Sequence, residues 1–323
     1  MMEIDLVYMW VDGADPVWRA KKARYAGEQV AEQQRADVAG DCRFVENDEL
    51  RYSLRSAERF APWIRRIYVV TDGQTPAWLD TSHPRVRIVD HREILPADAL
   101  PIFNSSAIEW ALPRIPGLAD RFLLANDDTF FGAPVGPEFF FARDGYPYLR
   151  LKHKRVTADR RSIYGYKIYE SQRRIRELFG KSYTLAPHHN IDAYCRDEFL
   201  ACAEQFRDET EATMRSRFRS FENLHRSVVG YFALARGHAH LRRVTRYGSC
   251  SNPLQLLRAL LGSRRQVDSR FFPASYPDFP GLYRKFGPSL FCLNDDERVS
   301  AEDRLRVRRF LEELFPEKSA FEK

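Results

Sequence analysis

Ten residues from Phe122 to Phe131 read Phe-Leu-Leu-Ala-Asn-Asp-Asp-Thr-Phe-Phe, and they constrain the chain more than any other stretch. Four apolar residues in a row suit a strand buried on both faces, the kind found in parallel sheets covered by helices. The run stops at Asn126-Asp127-Asp128, so polar groups arrive at its carboxyl end. In open α/β sheets that end faces the ligand crevice. Two adjacent carboxylates and an amide are hard oxygen donors of the type that hold Mg²⁺ or Mn²⁺ against a diphosphate. A polar turn leading into an aromatic loop has the same spelling, so other segments must decide between the two.

Three further segments repeat the pattern. Ile4 to Val11 reads as a strand that stops at Asp12-Gly13, Ile67 to Thr71 stops at Asp72-Gly73, and Val86 to Val89 stops at Asp90. Between them lie helical signals. Residues 16 to 38 form an irregular, polar helical region. From Asp48, Leu50, Leu54, Ala57 and Phe60 recur at helical spacing with Pro62 beyond, and Ser106-Ala107-Ile108-Glu109 spells a capping box. Strands alternating with helices, each strand ending in an acid, predict an α/β fold with a mostly parallel sheet and one carboxylate-lined rim. Asp72 and Asp90 also fit plain turn roles.

The remainder reads differently. Residues 134 to 183 are irregular and rich in aromatic and basic side chains. Helices are expected at Ile191 to Phe206, at Asn223 to Arg236 before Gly237, between Asn252-Pro253 and Gly262, and at Ser300 to Phe315. Leu290 to Leu293 is a short apolar run that ends in Asn294-Asp295-Asp296, repeating the chemistry of the first stretch. The expected organisation is therefore residues 1–133 as the N-terminal half of the catalytic α/β domain, 134–285 as an acceptor-side region, and 286–323 as a strand completing the site plus a last helix. The C-terminal half is mainly helical.

Composition narrows the partners. The net charge of +6 over 323 residues is scattered through Lys152 to Arg155, Arg160-Arg161, Arg173 to Arg176 and Arg215 to Arg219. Such scatter fits a phosphorylated ligand or peripheral contact with an anionic inner membrane, and equally fits solvated helix faces. Nucleic acid is not expected, because no helix-turn-helix, zinc or RNA-binding signature occurs and a polyanion would meet the acidic rim. Neither a G-x-G-x-x-G fingerprint nor a P-loop is present. Five dispersed cysteines without a C-x-x-C pair, no signal peptide and no span-length apolar stretch point to a cytoplasmic protein with reduced thiols.

Four blocks together closely resemble the Stealth family of hexose-1-phosphate transferases. They are Ile4 to Asp15 with Trp10-Val11-Asp12-Gly13; Asn47 to Phe131 with Asn47-Asp48-Glu49-Leu50-Arg51-Tyr52-Ser53-Leu54-Arg55-Ser56, Asn104-Ser105-Ser106-Ala107-Ile108-Glu109 and Asn126-Asp127-Asp128; Pro187-His188-His189-Asn190-Ile191-Asp192; and Phe286 to Asp295. The resemblance implies a GT-A-like fold, a UDP-N-acetylhexosamine donor such as UDP-GlcNAc, a sugar or glycan acceptor, and Mg²⁺ or Mn²⁺. Carried over by position, it implies Asp12, Asp128, His189 and Arg219 as catalytic residues. It implies Asp127, Asn294 and Asp295 as metal ligands, and Asn104, Ser105, Arg51 and Arg55 on the substrate side.

The chemistry agrees with these roles. In-line transfer of a sugar phosphate needs charge neutralisation and positioning more than covalent participation. Arg219 suits a phosphoryl oxygen, and a near-neutral His189 suits proton removal, with Asp128 as rival base. Ser105 and Ser106 read better as a helix cap than as nucleophiles. Two other readings stand beside this one; the strand-end acids fit the first of them equally, and only the family resemblance separates it. One is a GT-A glycosyltransferase that releases UDP, and the other is a binding module without turnover.

Overall fold

The computed structural model describes residues 2–29, 44–45, 47–160, 162–245, 248–250, 268–295 and 298–323. Along the chain come β1 (Ile4–Met9), α1 (Pro16–Gln29), α2 (Glu49–Phe60), β2 (Ile67–Thr71), β3 (Val86–Asp90), α3 (His91–Ile94), α4 (Ser105–Ala111), β4 (Arg121–Asn126) and β5 (Thr129–Phe131). There follow β6 (Tyr148–Arg155), α5 (Ile163–Phe179), β7 (Leu185–Pro187), β8 (Asp192–Cys195), α6 (Arg196–Gln205), α7 (Arg207–Met214) and α8 (Ser227–Arg236). Last are β9 (His240–Thr245), β10 (Gly248–Cys250), β11 (Ser269–Pro273), α9 (Phe279–Phe286), β12 (Leu290–Asn294) and α10 (Ala301–Leu314).

The main sheet has the order β3-β2-β1-β4-β8, with the first four strands parallel and β8 antiparallel at the edge. Its central strands are apolar on both faces because both faces are covered. Val7, Phe122 and Leu124 point into one core with Ala107 and Ala111 of α4, while Leu6, Tyr8, Leu123 and Ala125 point into another with Leu50, Leu54 and Ala57 of α2. The pairing of Met9 with Asn126 and of Thr71 with Asp90 puts the carboxyl ends on one rim, as the sequence predicts. The first core also takes in Leu151 and Val228, so it runs across residue 134.

Two of the rim acids are structural. Asp72 pairs with Lys21 at 2.8 Å, and Asp90 caps α3 in a reciprocal capping box with Glu93. The second half is the more helical one, but strands thread it. The stretch 134 to 183 is not irregular: it contains β6 and the 17-residue α5. Residues 191 to 206 are not one helix either, since Asp192–Cys195 pairs with β4 before α6 begins. The cap of α4 is Asn104, whose side chain accepts from Ser106 N, so Ser106 does not open a capping box. The helix expected between Asn252 and Gly262 lies outside the described residues. Among the described residues no helix is long and apolar enough to cross a membrane, and Cys195, Cys202 and Cys292 are free thiols.

A three-stranded sheet, β11-β12-β5, adjoins the main one. The junction is the two-residue turn Asp127–Asp128, which passes the chain from β4 to β5. Serines of α2 satisfy the groups around that turn: Ser53 Oγ donates to Thr129 O at 2.6 Å, and Ser56 Oγ accepts from Phe131 N at 3.0 Å. The polar turn and the ligand-bearing strand end are therefore the same feature.

Candidate active site

Strand β12 runs antiparallel to β5, pairing Cys292 with Thr129, and Leu293 N donates to Asp128 O at 2.9 Å. This backbone bond brings Asn294-Asp295 beside Asp127-Asp128, although 166 positions separate the two pairs in the chain. Two acid-bearing strand ends meet there, as their matching sequence pattern implied.

The acids crowd one another. Glu49 at the start of α2 is buried and receives Asn47 N at 2.6 Å and Asn47 Nδ2 at 2.8 Å. Burial first, and repulsion from Asp127 second, push its pKa up to about 8. Asp128 is pushed up to about 7, by loss of solvent and then by the Glu49 and Asp295 charges. A hydrogen bond from Cys292 Sγ to Asp128 Oδ2 at 3.3 Å works in the opposite direction. Asp128 Oδ1 sees no solvent and has no hydrogen-bond partner among the described residues.

Mutually repelling carboxylates, Asp127 and Asp295 among them, are an arrangement that a divalent cation relieves. The donors of Asp127, Asn294 and Asp295 are all oxygens, which suits Mg²⁺ or Mn²⁺. The residues therefore fit the expected metal. Asp295 is held by Arg304 at 2.8 Å, and the amide of Asn294 donates to Asp295 O.

His189 faces the acids from the segment before β8. Asn126 Nδ2 lies 3.4 Å from its Nε2, and Asp128, His189 and Cys292 each place a ligand-type atom within 4.8 Å of the others. Its neighbour His188 is turned away, with Nδ1 2.8 Å from Ser269 Oγ. His189 opens on a cleft lined by Tyr148, Tyr164, Asp192, His225 and Arg226. Burial lowers its pKa to about 4, and the Arg226, Lys152 and Arg219 charges add to the effect, so the ring is neutral at physiological pH but lies well below the near-neutral pKa that the sequence leads one to expect.

Arg219 and Arg226 are close enough to the histidine for their charges to lower its pKa. Arg219 Nη2 donates to Ser105 Oγ at 2.6 Å, which ties its loop to the first turn of α4. Asn104 is fully buried and sends its amide to Ser216 O, Phe218 O and Asn223 Oδ1. These bonds shape the Arg219 loop. Arg226 is buried between Glu109 (3.1 Å), Asp192 (2.6 Å) and the Tyr194 hydroxyl (2.8 Å). No motif in the sequence singles out Arg226, and Glu109 occupies the acid position of a capping-box spelling.

Other expected residues are directed elsewhere. Arg51 and Arg55 both bind Glu322, at 2.6 and 2.7 Å, and Arg55 also donates to Phe315 O. They brace α2 against the C-terminal segment. Asp12 lies at the rim end of β1, where its Oδ1 accepts from Ala14 N and Gln74 clamps its backbone from both sides. Gly13 is required beside it, because a Cβ there would collide with Phe44 O.

Comparison with known proteins supplies the family. Residues 43–149 match the profile of Stealth protein conserved region 2, and residues 2–29 match that of conserved region 1. His189, Arg219, Asn294 and Asp295 lie outside both matches. An exopolysaccharide phosphotransferase of Streptomyces coelicolor is 41% identical over 73% of this chain and 44% of its own length. A receptor polysaccharide phosphotransferase of Streptococcus gordonii is 30% identical over 99% of both chains. The chain spans about half or less of the length of the Streptomyces relatives it matches. The crystal structure of the galactosyltransferase LgtC with donor and acceptor sugar analogues aligns over 98% of this chain and 96% of its own, at 10% identity and a TM-score of 0.45. The fold assignment rests on the strand order itself. From the shared regions and the full-length match to the Streptococcus gordonii protein, the chain belongs to the Stealth family.

Proposed function

We propose that the chain moves N-acetylhexosamine-1-phosphate from a UDP-sugar, most simply UDP-GlcNAc, to a hydroxyl of a glycan acceptor. The product is a phosphodiester and the leaving group is UMP, in the synthesis of a capsular or other surface polysaccharide. The names of the relatives support the reaction class. The observation that carries the reading is a neutral His189 close to Asp128 and within reach of the Arg219 charge.

In this reading His189 takes the proton of the attacking hydroxyl, with Asp128 as the alternative base. Arg219, steadied by Ser105, binds a non-bridging phosphoryl oxygen through its planar fork. Mg²⁺ or Mn²⁺, held by Asp127 with Asn294 or Asp295, would offset charge on the diphosphate. The acceptor approaches over Tyr164, whose ring lies edge-on to His189 and His225. A cavity of about 310 Å³, lined by Arg160, Tyr166, Lys167 and Phe221, lies beyond His225. Sugar faces stack well on such rings.

The test supplies UDP-GlcNAc, Mg²⁺ and a panel of saccharide acceptors, then separates the nucleotide products. Acceptor-dependent UMP that EDTA abolishes and Mg²⁺ restores is the expected result. Acceptor-dependent UDP, or full turnover in EDTA, would contradict the proposal. Arg219→Lys keeps the charge but loses the fork and is expected to lower kcat/KM by roughly ten- to a hundredfold. Wild-type kinetics for that variant would make Arg219 a surface charge.

A further inference from the structure

We infer that Asp128, His189 and Cys292 form a second kind of metal site, one that takes a borderline-soft divalent cation of the zinc class through a ligand set distinct from the oxygen donors of Asp127, Asn294 and Asp295. The three ligands come from three elements: the β4–β5 turn, the segment before β8, and the middle of β12. One donor atom from each lies within 4.8 Å of the other two. Zinc bonds of about 2.0–2.3 Å imply ligand separations of roughly 3.5 Å in a tetrahedron, so a closure of about 1 Å completes the set.

Each ligand is already held near that position. Asp128 is fixed through its carbonyl by Leu293 N, Cys292 sits in register opposite Thr129, and His189 follows the Ser269-anchored His188. Asp128 Oδ2 already lies 3.3 Å from Cys292 Sγ, and Asp128 Oδ1 is buried without a partner among the described residues. Mixed sulfur, imidazole and carboxylate donors select zinc-like ions, whereas Mg²⁺ prefers oxygen and keeps its waters.

On binding, the Cys292 thiol releases its proton to solvent, and its hydrogen bond to Asp128 gives way to one metal bond from each residue. Three protein ligands leave the fourth position to water. The ion then occupies His189 and Asp128 together, so micromolar zinc inhibits the transfer proposed above. The site itself does not depend on that reaction, and its primary readout is optical.

The full-length chain, stripped with EDTA and kept reduced, is titrated with Co²⁺. Expected are a thiolate-to-cobalt charge-transfer band in the near ultraviolet and intense visible bands of tetrahedral cobalt, saturating at one ion per chain. Zn²⁺ should displace the ion, and Mg²⁺ in large excess should not. Cys292→Ala should abolish the charge-transfer band and weaken Co²⁺ binding by about tenfold or more. Cys195→Ala should leave both unchanged. His189→Gln, at a more exposed position, tests the same cluster should the β12 variant fold poorly, and it is expected to weaken Co²⁺ binding by about tenfold while the band remains at saturation. A wild-type chain without the band, a band that survives Cys292→Ala, or unaltered Co²⁺ affinity in His189→Gln would overturn the inference.

Discussion

Asp128→Asn is expected to lower turnover by about two to four orders of magnitude while making the protein more stable, not less. The two effects have one cause. Asp128 carries its charge in a site that has lost solvent and already holds Glu49 and Asp295, so its folded pKa lies near 7, well above the ordinary carboxylate value. A carboxyl with a raised folded pKa destabilises the fold once pH exceeds its unfolded value. Asn cannot ionise, but it keeps an acceptor for Cys292 Sγ. The expected gain is on the order of 1 kcal/mol at neutral pH, read from urea unfolding. Residues that lower stability in exchange for chemistry are typical of active sites. If Asp128 merely shaped the β4–β5 turn, the variant would lose stability and keep its activity.

Glu322→Gln should show the reverse pattern. The Glu322 side chain has no exposed surface and bonds Arg51, Arg55 and Ser319 N. Removing its charge leaves two guanidinium groups without their counter-ion, an expected loss of about 3 kcal/mol. The sign with pH follows from its folded pKa. Although burial alone would raise it, hydrogen bonds from Arg55, Ser319 and Arg51 bring it down to about 2. Its stabilisation is therefore complete above the ordinary glutamate range and fades as pH falls from about 5 toward 2. Wild-type stability should lose this increment over that window, and the variant should not. Donor KM should be unchanged, because Arg51 and Arg55 serve as braces; a large rise in donor KM would return them to the substrate side.

The sequence made the parallel sheet legible for a simple physical reason. Strands covered on both faces must be apolar throughout, and Phe122-Leu123-Leu124-Ala125 is too short for a helix and is cut off by Asn126-Asp127-Asp128. The Asn-Asp-Asp ends of β4 and β12 were legible as a pair because they carry the same chemistry, although only the β5–β12 pairing shows why they meet. Cys292 was hidden, since a lone cysteine in an apolar run is most often core. Its role depends on facing Asp128 across the β5–β12 pair. Glu49 was hidden by its place in the first turn of a helix, where acids are common.

Two strands are hard to see in the sequence. Tyr148-Leu149-Arg150-Leu151-Lys152 alternates with period two inside a basic, aromatic-rich stretch, and in the structure Arg150 is buried, with its guanidinium over Phe139. Asp192-Ala193-Tyr194-Cys195 runs straight into a true helical pattern, and only pairing with β4 marks it as a strand. Asn104 shows a subtler limit. Its motif was recognised, but whether the amide meets a ligand or the 216–223 loop depends on contacts more than a hundred residues away.

In the proposed transfer the donor is cleaved between its two phosphorus atoms and not at the anomeric carbon. Donor labelled in the phosphate that bears the sugar tests it directly. The account predicts that the label moves into the glycan with one phosphodiester per sugar transferred, that unlabelled UMP is released in equal amount, and that Asp128→Asn suppresses both together. Label leaving as UDP, with a glycan product free of phosphorus, would contradict it.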